Sequence, residues 1–197
     1  MPRILARLAC RLILCYVALL VAVPARADEA AAWAALRDGG HVALMRHALA
    51  PGGAGDPPGF RLEDCKTQRN LSEAGRADAA AVGAMLWGEE IVIDKVLSSP
   101  WCRCVDTAKL MNLGAVEIAP TFGNAFVLSD QRDALAAGAR KVIAAWRGPG
   151  NLLVVTHGAN IQALTGGGSP ESGEIVVVEA GADGAIHEIG RIPVPKR

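Results

Sequence analysis

Three apolar runs, each short enough to be a strand, end on cationic or protonatable side chains. "HVALM" runs into Arg46-His47, "IVIDKVLSS" leads through "PWC" to Arg103, and "NLLVVT" runs into His157. The segments between them carry apolar residues at helical spacing. Strands that alternate with helices build a mostly parallel sheet covered by helices on both faces, because each parallel connection needs a crossover and the crossovers pack back on the sheet. The fold class expected is α/β: a three-layer sandwich with a mostly parallel central sheet. The carboxyl ends of parallel strands share one edge, and ligands bind in the crevice outside it. Arg46, His47, Arg103 and His157 are therefore expected to converge.

The remaining elements follow from local signals. A short helix starts at Glu29 and stops at Gly39-Gly40. Residues 48–70 are rich in Gly and Pro, and so long a connection in a compact domain is usually functional. Its "APGGAGDPPG" stretch lacks the spacing of a nucleotide-binding loop and reads as a mobile flap over the site, with Thr67, Gln68, Arg69 and Asn70 as substrate contacts or simple loop residues. Ser72 caps the next helix, Ser99 and Pro100 begin another, and a further helix covers about Asp130 to Trp146. Two terminal strands join at an Asp183-Gly184 turn. The four tryptophans, on or beside helices, read as packing residues, Trp101 lying closest to the pocket. His41 and His187 read as structural and solvent-facing respectively.

Residues 1–27 have the form of a secretory signal peptide: a positive start, the apolar run "LILCYVALLVAV" and an "ARA" cleavage site. A periplasmic or secreted domain of residues 28–197, with no stable membrane anchor after cleavage, is expected. Four of the 20 Lys and Arg lie in the signal against none of the 20 Asp and Glu, so the remainder is net negative and carries no basic footprint for nucleic acid. Export also bears on the cysteines that remain, Cys65, Cys102 and Cys104. An oxidising compartment favours a bridge from Cys65 to Cys102 or to Cys104, with three free thiols the alternative. A zinc site on Cys102, Cys104 and a histidine has only a C-x-C spacing behind it.

Two arginines and two histidines around one crevice make an anion site, since guanidinium groups grip phosphate oxygens in a fork and helix N-termini add N–H donors. A histidine among cations has its proton disfavoured, and a neutral imidazole is a competent nucleophile toward phosphorus.

Four stretches carry a family resemblance. "LMRHA" resembles the R-H-G signature of the histidine phosphatase superfamily, the phosphoglycerate mutase-like group. "LSEAGRADA", "VLSSPWCRCVDTA" and "VVTHG" resemble its later motifs in the family's order, from Val42 to Gly158. The resemblance implies a phosphatase that uses neither metal nor other cofactor. His47 would become phosphohistidine, while Arg46, Arg103 and His157 would bind the phosphoryl group. The substrate would be a small phosphorylated molecule or a phosphoprotein. Two positions depart from the pattern. Ala48 stands where the family most often has Gly. Gly158 follows the second histidine, where some members have an acid. Glu174, Asp130 and Glu117 are the candidate general acids; with none of them, the leaving group must depart easily, as an imidazole or acidic phenol does. A non-catalytic anion-binding or interaction module on the same fold is the alternative.

Overall fold

The computed structural model describes residues 29–196. The signal peptide expected over residues 1–27 lies outside them. Among the described residues no helix is long and apolar enough to cross a membrane.

Six strands form one sheet: β1 (Val42–Arg46), β2 (Ile93–Ser98), β3 (Val116–Ile118), β4 (Asn151–Thr156), β5 (Ile175–Ala180) and β6 (Ile186–Ile192), in the order β3-β2-β4-β1-β5-β6. The pairs β1–β4, β2–β4 and β2–β3 are parallel, while β5 runs antiparallel to both β1 and β6. Five α-helices are described: α1 (Glu29–Asp38), α2 (Glu73–Gly88), α3 (Cys102–Met111), α4 (Arg132–Ala145) and α5 (Gly158–Thr165).

Successive strand side chains point to opposite faces, and both faces are covered, so the strands read as unbroken apolar runs. In β1, Ala43 and Met45 join Leu36, Val82 and Met111 under α1, α2 and α3. Val42 and Leu44, from the same strand, join Ala139, Ile143 and Ile161 under α4 and α5. These two clusters are the interfaces of the expected three-layer sandwich.

Some element starts differ from the sequence reading. Strand β2 begins at Ile93, and α3 begins at Cys102 with Trp101 at its N-cap and no side-chain cap bond. Ser99 does not cap this helix, because the N-cap falls two residues later at Trp101; Ser99 Oγ lies 2.9 Å from His157 Nε2 instead. Trp87 is not a packing residue, being 79% exposed at the end of α2.

Helices α2 and α3 cross closely at Gly83, where an added Cβ would lie 2.1 Å from the Met111 carbonyl oxygen. Backbone cannot swing aside as a side chain can. Gly83→Ala should therefore destabilise the fold by about 3 kcal/mol or more, at the upper end of overpacking costs. The midpoint of denaturant unfolding measures this, and an unchanged midpoint contradicts the close crossing.

Candidate active site

Sheet register brings the expected residues together. Arg46 is the Cα partner of Thr156 across β1–β4, so the next residues, His47 and His157, leave adjacent strands side by side. Their rings meet edge to face with centroids 5.4 Å apart. Ser98 pairs with Val155 across β2–β4, which places α3 and its Arg103 at the same edge. Arg46 lies against the first turn of α5, where a Cβ on Gly158 would stand 3.4 Å from Arg46 Cδ; its Nη1 donates to the Pro170 carbonyl at 2.7 Å. Both imidazoles are 3% exposed and Arg103 is fully buried.

The backbone assigns the imidazole nitrogens. His47 Nδ1 lies 2.8 Å from the Ala48 carbonyl oxygen, an acceptor only, so Nδ1 carries the proton and Nε2 the lone pair. His157 Nε2 is 2.9 Å from Ser99 Oγ and 3.5 Å from Cys104 Sγ, and Trp101 packs on the ring edge to face at 5.5 Å. Burial, offset in part by the Ala48 hydrogen bond and aided by Arg103, Arg69 and Arg46, lowers the pKa of His47 from 6.5 to about 3. Burial, then the charges of His47 and the same arginines, lowers that of His157 well below its ordinary value.

The loop of residues 48–70 is anchored, including the stretch Ala50–Gly59 expected to be a mobile flap. Cys65 is disulfide-bonded to Cys102 at the start of α3, which removes Cys102 from any zinc site and leaves Cys104 a buried thiol. Arg69 donates to the Gly55 and Ala50 carbonyls at 2.9 and 2.6 Å, and Gln68 Oε1 accepts from the Cys102 N–H at 3.0 Å. Thr67 and Asn70 make bonds within the loop.

This anchoring delivers a carboxylate that periodicity and motif both miss. Asp56 Oδ1 accepts from Arg103 Nη1 at 2.6 Å and from the Arg69 N–H at 3.0 Å, and Oδ2 accepts from Arg103 Nη2 at 3.3 Å and Trp101 Nε1 at 2.9 Å. Burial raises its pKa, but the Arg103 and Arg69 hydrogen bonds outweigh it and hold the carboxyl below its ordinary range. Asp56 is thus ionised and fully engaged, and cannot serve as a proton donor. The only hint of it in the sequence is that it is the lone acid of the APGGAGDPPG stretch.

The three candidate acids lie elsewhere. Glu117 pairs with Lys95 at 2.8 Å across β2–β3, and Asp130 sits in an exposed 3-10 turn. Glu174 Oε2 accepts from the Glu171 N–H at 2.6 Å, and its backbone carbonyl accepts from the Arg46 N–H at 3.1 Å. Outside the site, His41 Nδ1 is 2.8 Å from the Gly39 carbonyl oxygen and His187 is exposed beside Asp183. Among the described residues no cluster of three or more His, Cys, Asp or Glu is arranged to hold a metal ion.

No protein-family model and no curated protein matches this sequence. Solved structures do match. The protein histidine phosphatase SixA complexed with tungstate is similar over 77% of this chain and 96% of its own, at 20% identity and a TM-score of 0.54. A putative phosphohistidine phosphatase SixA from Agrobacterium tumefaciens is similar over 79% and 98%, at 21% identity and a TM-score of 0.54. A mycobacterial glucosyl-3-phosphoglycerate phosphatase is similar over 77% and 95%, at 18% identity and a TM-score of 0.53. The fold is that of the histidine phosphatase superfamily.

Within the histidine phosphatase fold the departure at Ala48 is accommodated. Its backbone is not among the positive-φ positions, its N–H donates to Thr107 Oγ1 at 3.1 Å, and its methyl is fully buried.

The buried neutral imidazoles also set the acid stability of the histidine phosphatase fold here. Between pH 6.5 and about 3 the unfolded chain protonates His47 while the folded chain does not. The unfolded state then binds more protons, so stability is present above pH 6.5 and is lost as pH falls through that window. The loss should approach about 1.4 kcal/mol per pH unit for each histidine. Thermal melts between pH 7 and pH 4 should show a falling midpoint, less steep in His47→Gln. A flat midpoint in the wild-type protein contradicts the buried neutral pair.

Proposed function

We propose that this chain is an exported phosphatase that transfers a phosphoryl group to His47 Nε2 and then to water. The observation that carries this reading is the neutral His47, its Nδ1 proton held by the Ala48 carbonyl, set beside His157, Arg46 and Arg103. The Nε2 lone pair attacks phosphorus, the P–N bond to His47 forms, and the leaving group departs with the electron pair of its own bond. Arg46, Arg103 and His157 offset charge on the phosphoryl oxygens, stabilisation from groups already in place. Water then attacks phosphorus, its protons pass to phosphate and solvent, and His47 leaves as neutral imidazole.

A proton donor for the leaving group is the missing part, since Asp56 is held ionised, Glu117 and Glu174 have partners of their own, and Asp130 lies exposed in a 3-10 turn. The substrates this favours have leaving groups of low basicity: the imidazole of a phosphohistidine, on a protein or a small molecule, or an acidic phenol. The solved structures of similar fold include phosphohistidine phosphatases, in keeping with that choice. The Cys65–Cys102 bond supports export, because such bridges persist in oxidising compartments.

The test compares phosphoramidate, para-nitrophenyl phosphate and a simple alkyl phosphate as substrates, with chelator present and with acid-labile phosphate on the protein followed after quenching. Turnover of the first two, little of the third, and phosphate trapped on His47 are expected. Rapid alkyl phosphate hydrolysis that a single carboxylate substitution removes would refute the acid-free mechanism. Tight phosphate binding without turnover of any substrate would point to the non-catalytic anion-binding module.

A further inference from the structure

We propose that Asp56 is a positioning residue for this reaction: it holds one edge of the Arg103 guanidinium so that the opposite edge faces the phosphoryl oxygens. The inference rests on the phosphatase reading above and adds to it a residue outside every recognised motif.

A guanidinium has five N–H donors in one plane. Asp56 takes the edge formed by Nη1 and Nη2, at 2.6 and 3.3 Å, and Nη1 also donates to the Arg69 carbonyl at 3.3 Å. The edge formed by Nε and the second N–H of Nη2 is left over. Arg103 Nε is buried and has no hydrogen-bond partner. A buried donor without a partner is costly, and in a site it marks the place of a ligand. Two parallel N–H groups on that edge match two oxygens of one phosphoryl group.

Asp56 is itself held as firmly as the group it holds. Its carboxylate takes Trp101 Nε1 at 2.9 Å and the Arg69 N–H at 3.0 Å, and the Asp56 and Arg103 side chains are both 0% exposed. Trp101 in turn packs against His157. One carboxylate therefore ties the guanidinium, the indole beside the second histidine and the Arg69 backbone into one frame.

Two substitutions separate positioning from simple charge neutralisation. Asp56→Asn keeps the size and removes the charge. Asp56→Glu keeps charge and ion pair but displaces the guanidinium by about one methylene, roughly 1.5 Å. If Asp56 only neutralises Arg103, Asp56→Glu retains wild-type rates. If it positions Arg103, both variants lose about 100-fold in kcat for para-nitrophenyl phosphate, with KM changed by less than about threefold. In an Arg103→Lys background Asp56→Asn then costs little more, because the two act as one unit. Wild-type kcat in Asp56→Glu, or fully additive losses, would overturn the proposal.

A measurement on the unaltered protein stands apart from folding of the variants. Titration with inorganic phosphate should shift the Arg103 Nε–H resonance and slow its exchange with solvent; no change there overturns the assignment. Absence of turnover in the wild type, with that shift present, sinks the phosphatase reading and leaves the Arg103 geometry standing.

Discussion

His47→Ala should leave a folded protein that hydrolyses para-nitrophenyl phosphate at no more than about one thousandth of the wild-type rate. The size of the loss follows from what else the sheet edge offers. His157 Nε2 is engaged by Ser99 at 2.9 Å. Cys104 is a thiol whose pKa burial pushes up to about 12, so it supplies essentially no thiolate at neutral pH. The fold should survive, because the imidazole's ring hydrogen bond goes only to the neighbouring Ala48 carbonyl. Initial rates, with circular dichroism as the folding control, decide the matter. A residual rate above a tenth of wild type would remove His47 from the nucleophile's role. His157→Ala should slow turnover without preventing phosphate from accumulating on His47.

Arg103→Ala is the second large effect, and it acts on stability and rate together. The Arg103–Asp56 pair has both side chains sealed from solvent. Removing one partner strands the other as an unpaired buried charge, at a cost of about 3–5 kcal/mol. The phosphoryl group also loses a forked donor, worth about 100- to 1000-fold in kcat. Arg103→Lys should recover part of the stability and little of the rate, since an ammonium lacks the planar fork that serves a carboxylate and a phosphoryl group at once. Denaturant unfolding and steady-state kinetics on the same samples report the two losses. Stability unchanged in Arg103→Ala would mean that Asp56 finds solvent or another donor.

Arg46, His47, Arg103 and His157 were legible in the sequence for a reason that is largely topological. Each ends or follows a strand, and parallel strands can end only at a common edge. Ser99 shows the limit of local reading: as a serine before a proline it looks like a helix cap, and only the tertiary structure gives its hydroxyl to His157. Asp56 was not legible, because the Gly/Pro-rich loop has no periodicity and the acid's partner is 47 positions away. Glu117 and Asp130 looked eligible because a carboxylate in sequence carries no mark of direction; in space, Glu117 meets Lys95 and Asp130 faces solvent. The disulfide is half legible: the sequence points to Cys65 as one partner, but the choice between Cys102 and Cys104 depends on which face of α3 meets the loop.

That choice has a consequence for how the protein matures. A chain with three accessible thiols can close three different bridges, and two of them would be errors. Here Cys104 lies on the inner side of α3, fully buried behind His157, while Cys102 meets the loop. With α3 docked, only Cys102 of the two α3 cysteines meets the loop, so the folded domain itself selects one bridge among the described cysteines.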